Sequence, residues 1–210
     1  MAQKNNKNRV KKMAKRKAKS KIKQKNETLI KNRVKGLAMS GSVHESFIQY
    51  DDGLMTIFLA RKKESFYTVS VILVDLYCLG AKNAFLSKVN EMEYHEMKAR
   101  KTHDISPGQA KKVILDSVEY ADNLGFKAHK NFKKAMKAYD DIDEDKECEF
   151  EFGKNGKPYF FAGPFDSPEK CQKIINTLEK SCGKDNYSCV MPFGMEFDEN
   201  EGRYEGSEDF

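Results

Sequence analysis

Residues 1–35 hold 15 Lys or Arg and a single acid, Glu27, a net charge of +14. Like charges at that density repel one another. The segment also has too few large apolar groups to offset roughly 1–2 kcal/mol per residue of backbone ordering entropy. Folding is therefore left to the residues beyond it. Residues 36–194 carry 22 basic and 24 acidic residues, and residues 195–210 set seven acids against Arg203. The chain reads as a basic arm (1–37), a nearly neutral body and an acidic tail (195–210). Only 39% of the 210 residues are hydrophobic, as expected where part of a chain lies outside any core, but 14 Phe and 9 Tyr are enough for one.

The arm has no Pro, its first Gly is Gly36, and its Lys, Arg, Ala and Gln favour helix. Val10, Met13, Ala14, Ala18 and Ile22 form a thin apolar stripe at helical spacing, continued by Leu29, Ile30, Val34 and Leu37. The spacing predicts a helix once a polyanion neutralises the charge. Phosphate suits such a segment, because each Lys or Arg contact releases condensed counterions. Lys11, Lys12, Lys15, Arg16, Lys17, Lys19, Lys21 and Lys23 are the candidate contacts. RNA, ribosomal RNA included, is the expected partner ahead of DNA, since no DNA-reading motif is present. Arms of this composition resemble those of ribosomal and other RNA-associated proteins. The competing readings are a solvated interaction tail with no single partner, a nuclear-import patch, and a helix lying on an anionic membrane. The last lacks the Trp, Phe and Leu that would bury among headgroups. The acidic tail is expected to screen the arm in the free protein.

No apolar run approaches the roughly 18–20 residues that span a bilayer, and no stretch of the kind that precedes signal cleavage opens the sequence. The five cysteines (Cys78, Cys148, Cys171, Cys182, Cys189) are odd in number and scattered, with no C-x-x-C pair. Free thiols in a reducing, cytoplasmic setting are expected, without membrane association.

The body predicts an α+β fold: a mixed, mainly antiparallel sheet with flanking helices. VHESFIQY and LMTIFLARKK read as strands around Asp51-Asp52-Gly53. FYTVSVILVDLYCLG is β-branched on both faces, as in a strand covered on two sides. AKNAFLSKV and EMEYHEMKARKT read as short helices. Ser106-Pro107 opens a helix of about 107–124 that Gly125 ends, burying Ala110, Val113, Ile114, Ser117, Val118 and Ala121. NFKKAMKAY is a further short helix. FEFGKNGKPYFFAGPF predicts a hairpin around Asn155-Gly156, and Ser167-Pro168-Glu169 caps a last helix to about Ser181. The acidic run 140–147 is the expected linker between a main unit (43–139) and a hairpin-plus-helix unit (148–182).

Three strings, VDLYCLGAKNAF (74–85), LGFKAHKNF (124–132) and FEFGKNGKPYFFAGPFDSPEK (150–170), resemble in this order an uncharacterised family of bacterial proteins. The resemblance spans roughly residues 43–180, outside the arm. It implies a bacterial host, and no reaction or cofactor.

Candidate chemistry gathers at a few positions. Asp75 and Lys82 bracket a predicted strand-to-helix turn, where a carboxylate at a strand end meets a crevice and a nearby Lys can hold phosphate. The alternative is that Asp75 caps the turn or pairs with Lys82 structurally. Cys78 is a nucleophile only if a basic group lowers its pKa; otherwise it is a small core residue. His129 lies among Lys127, Lys130, Lys133 and Lys134, beside Phe126 and Phe132, a patch suited to phosphates and bases or simply a solvated helix face. His44, His95 and His103 have acids nearby but no H-E-x-x-H spacing, and residues 140–145 lack the Gly and terminal Glu of a calcium loop. Gly153, Gly156 and Gly163 belong to a hairpin rather than a phosphate-cradling loop, although Lys154 and Lys157 flank its tip. No metal or cofactor is expected. Three functions fit these residues: a non-catalytic RNA-associated protein, a nucleic-acid-acting enzyme using Asp75, Lys82 and His129, and an interaction module for an acidic partner.

Overall fold

The computed structural model describes residues 41–164, 166–191, 195–198 and 203–206, the last two stretches as backbone. The fold is α+β. Ser42–Asp51 (β1), Leu54–Lys63 (β2), Phe66–Asp75 (β3) and Gly80–Val89 (β4) run as an antiparallel meander. A two-residue strand, His103–Asp104 (β5), extends it on the far side of β1, so the order is β4-β3-β2-β1-β5. The β1–β2 turn falls where Asp51-Asp52-Gly53 predicts it, with positive φ at Asp52 and Gly53, the geometry of the tight turns that match strand twist.

Both sheet faces are covered. Helix α1 (Glu91–Lys98) lies on one face, its N-terminus closed by a reciprocal Asn90–Glu93 capping box. Its Tyr94 stacks on Tyr67 with centroids 4.1 Å apart, beside the stacked Phe47–Phe58 pair. Helix α2 (Pro107–Asn123) lies on the other face with α3 (Phe132–Ala135) and the 3₁₀ turn Met136–Tyr139. Ser106 Oγ accepts the Gln109 N–H, and Ala110, Val113 and Ile114 pack against Ile57, Ile72, Val74 and Leu86. β3 is thus inward on both sides, as its two-faced apolar pattern requires: Val69 and Val71 join the α1 cluster, Ile72 and Val74 the α2 cluster.

AKNAFLSKV is strand β4, not the helix its Ala, Lys and Leu suggest. Tertiary pairing overrides a weak propensity here. β3 offers an unpaired edge, and Ala84 and Leu86 alternate with Phe85 to fill one side of it. Gly80 enters the strand at φ +61°, and a Cβ there would meet Ala121 Cβ at 2.7 Å. Only glycine lets α2 come so close to the turn.

A third cluster closes the fold. Ser167 caps α4 (Pro168–Cys182), whose Cys171, Ile174, Ile175 and Leu178 pack with Cys78, Leu124 and Phe160. The predicted hairpin at 150–165 shrinks to one bridge, Lys154 with Lys157, around an Asn155-Gly156 turn. Pro158 has no N–H with which to continue a ladder, and Phe150 and Phe152 pack against the α2 cluster. Tyr159–Phe161 (β6) pairs in parallel with Ser188–Val190 (β7) instead. Met195–Asp198 (β8) and Arg203–Gly206 (β9) form an antiparallel pair within the acidic tail. The acidic run after Tyr139 is tied to the body: Lys111 Nζ donates to the Ile142 carbonyl at 2.6 Å, and Asp141 pairs with Arg61. Among the described residues, no helix is long and apolar enough to cross a membrane.

Arg61 is the one charged side chain sunk beneath that run, 4% exposed. Its guanidinium donates to the Ala138 carbonyl at 2.9 Å, the Gly41 carbonyl at 3.1 Å and the Asp141 carboxylate. Replacing it leaves two carbonyls without donors under the 3₁₀ turn. Arg61→Leu is expected to lower the unfolding free energy by about 2–4 kcal/mol, while Asp141→Asn, at an exposed carboxylate, costs well under half of that. Urea titration of both variants checks the ranking.

Candidate functional site

The β3–β4 connection is a hairpin turn, so Asp75 and Lys82 do not flank a strand-to-helix crevice. They meet for another reason. Asp75 pairs with Gly80 across the turn, Leu73 pairs with Asn83 and Val74 with Ala81. Lys82 is therefore an extra residue, a β-bulge that turns its side chain out of the regular alternation. Its Nζ lies 3.8 Å from Asp75 Oδ2, beyond hydrogen-bond reach.

Asp75 is 6% exposed. Its Oδ1 accepts the N–H groups of Tyr77 at 2.9 Å and Cys78 at 3.0 Å, an Asx cap that holds the turn. Burial raises the carboxyl above its ordinary pKa of 3.8, opposed by Lys82 and the turn's N–H groups.

A cavity of about 250 Å³ opens over this pair. Asp75 and Lys82 line it, Leu54 and the β1–β2 turn form one side, and Tyr77, Tyr159 and Phe161 supply aromatic walls. Three backbone hydrogen bonds bring these segments together. Leu76 donates to Gly53 O at 2.9 Å, Gly153 to Leu76 O at 3.0 Å, and Tyr159 to Tyr77 O at 3.2 Å. A Cβ on Gly53 would strike the Tyr77 ring at 2.3 Å. The Tyr77 and Tyr159 rings meet edge to face, centroids 5.6 Å apart. At the rim, Lys154 Nζ stands 4.8 Å above the Tyr159 ring and 3.2 Å from Asp52, which also accepts from Tyr77 Oη at 2.8 Å. Burial and the Asp52 contact push the Tyr77 phenol up to about 12, so it remains a donor at neutral pH.

The remaining candidates lie elsewhere. His129 is fixed to β4 by its backbone N–H on Ala81 O at 2.9 Å, and its imidazole accepts from the Asn131 N–H; it does not line the cavity. Cys78 is fully buried, and burial raises its thiol, which makes it a core residue rather than a nucleophile. Lys127, Lys130 and Lys133 are exposed and Lys134 is half-buried. Lys127 already pairs with Asp122 at 2.8 Å. Phe126 turns inward against the third cluster and Phe132 against the α2 cluster, which leaves this patch phosphate contacts without stacking platforms. The arm candidates Lys11 to Lys23 lie outside the described residues. Among the described residues, no group of three or more His, Cys, Asp or Glu is placed to hold a metal ion.

Tyr77, Tyr159 and Phe161 have no local signal as a site. Tyr77 and Tyr159 sit in different elements far apart in sequence, joined by the backbone hydrogen bond from Tyr159 to Tyr77 and by their ring contact. Segments 74–85 and 150–170 supply walls of the cavity, and His129 is bonded to Ala81, the neighbour of Lys82 in sequence. No protein-family model matches the chain, and neither does a curated protein or a solved structure.

A buried carboxyl with a raised pKa weakens the fold once it ionises. The cost is absent at pH below the unfolded value near 3.8, where the group is protonated in both states, and full above the folded value. Asp75→Asn carries no such titration. The stability difference, variant minus wild type, is expected to rise with pH from below 4 and then level off. Urea midpoints across a pH series check this, and parallel profiles for the two proteins would refute it.

Proposed function

We propose that this is a non-catalytic RNA-associated protein, held to RNA by its basic arm and placed on it by the α+β body. The supporting observation is the separation of +14 in residues 1–35 from a body whose 22 basic and 24 acidic residues nearly cancel. Affinity from such an arm is tolerant of sequence and steeply dependent on salt. The exposed Lys127, Lys130 and Lys133 fit a secondary phosphate contact. Ribosomal RNA belongs among the partners considered, and a cytoplasmic location fits five free cysteines. The reading as a nucleic-acid-acting enzyme draws on the Asp75–Lys82 pair, but His129 lies outside the cavity that pair lines.

The test keeps the chain whole. Lys11, Lys12, Lys15, Arg16, Lys17, Lys19, Lys21 and Lys23 are replaced together by Gln, and RNA affinity is followed against salt. Each lost contact with single-stranded RNA should flatten the log–log slope by about 0.7. An unchanged slope would remove the arm from RNA binding. Retention of an acidic protein partner in excess RNA would point to the interaction-module reading instead.

A further inference from the structure

We infer that the cavity over the β3–β4 turn is a pocket for one unstacked nucleobase of single-stranded RNA, with Asp75 and Lys82 reading its edge. The inference deepens the RNA reading and rests on it.

Size and wall chemistry come first. At about 250 Å³ the cavity falls below the ~300–1,000 Å³ of clefts that take drug-sized ligands, and it suits a single planar ring system. Its walls are Tyr77, Tyr159, Phe161 and Leu54. Phe161 is 56% exposed and Leu54 38%, apolar surface that a stacked ring would cover. Every base presents a π-face, so aromatic walls accept bases as a class.

The floor then narrows the ligand. Asp75 Oδ1 is occupied by the turn's N–H groups, whereas Oδ2 has Lys82 Nζ at 3.8 Å and no hydrogen bond to it. Oδ2 and Lys82 Nζ thus stand side by side without a hydrogen bond between them, a separation that a ligand can bridge. A cationic side chain from a basic peptide would meet the Lys82 ammonium, and a phosphate or carboxylate would meet Asp75. A neutral ring edge with an N–H donor beside an acceptor satisfies both, and this is the pattern on the Watson–Crick edges of nucleobases. At the rim, Lys154 Nζ rests over Tyr159 and beside Asp52, from where it can exchange Asp52 for the phosphate of the inserted nucleotide.

The experiment uses the full chain and two labelled single-stranded RNAs of equal length, one with bases and one abasic, measured by fluorescence anisotropy at one salt concentration. The wild type is expected to prefer the base-bearing strand by about fivefold or more, as base–aromatic stacking predicts. Phe161→Ala, a truncation at an exposed position, and Lys82→Met, checked by thermal melting, should each bring that ratio toward one. Equal wild-type affinity for both strands, or a ratio unchanged in both variants, overturns the pocket while leaving the arm's role standing. Failure of the wild type to bind either strand overturns the RNA reading itself. Loss of the preference on adding free nucleoside monophosphates at a concentration matching the RNA would assign the pocket to free nucleotides and overturn its assignment to RNA.

Discussion

The turn between β3 and β4 has more backbone polar groups than it can satisfy within itself, and the shape of the site depends on how they are paired. Asp75 supplies one carboxylate oxygen to the N–H groups of Tyr77 and Cys78. The remaining groups reach other segments: Leu76 N–H to Gly53, Leu76 O from Gly153, Tyr77 O from Tyr159. Buried backbone groups go unpaired at a cost comparable to a lost hydrogen bond, so these segments are drawn onto one turn from distant parts of the sequence. The cavity is what lies between them. A buried carboxylate is an expensive way to cap a turn, and its cost is offset by two N–H groups and the bulged Lys82.

Charge is divided in the opposite sense. The body is close to neutral and its rim at the cavity is acidic, with Asp51 and Asp52 beside Asp75. In the proposed RNA reading, long-range attraction to phosphate would therefore belong to the arm, which would gain affinity through counterion release and read no sequence. Contacts that discriminate must be short-ranged and shaped, and in that reading the cavity would supply them. Affinity and recognition would then fall to different parts of one chain.

Much of this fold was legible locally. Ser106-Pro107 and Ser167-Pro168 mark helix starts because a hydroxyl cap and a fixed φ act within one turn. Asp52-Gly53 and Asn155-Gly156 mark turns because few residues accept positive φ. β3 announces itself by being apolar on both faces. β4 was not legible: its composition favours helix, and the deciding facts are a free edge on β3 and the close approach of Ala121 to Gly80. Asp75 and Lys82 stand out as a pair, but their meeting depends on a bulge that shifts register by one residue, which spacing alone does not reveal. The aromatic walls were out of reach altogether. Tyr159 joins Tyr77 through a long-range backbone hydrogen bond, and its strand pairs in parallel with β7, neither of which any alternation in the short segment YFF could specify.

The acids at the rim then acquire a role beyond the turn they belong to. In the proposed RNA complex a strand drawn in by the arm would arrive with phosphates foremost, and phosphate is the group that Asp51, Asp52 and Asp75 would repel. Lys154 is the local exception, held at the mouth by Asp52 and the Tyr159 ring. The proposed nucleotide would therefore settle with its phosphate outside at Lys154 and its base turned inward, toward Tyr77, Tyr159 and Phe161 and the Asp75–Lys82 pair. Repulsion at the entrance would fix the orientation, as specificity often requires an unfavourable alternative as well as a favourable contact. A uniformly basic cavity would hold the backbone more strongly and would not distinguish one end of a nucleotide from the other.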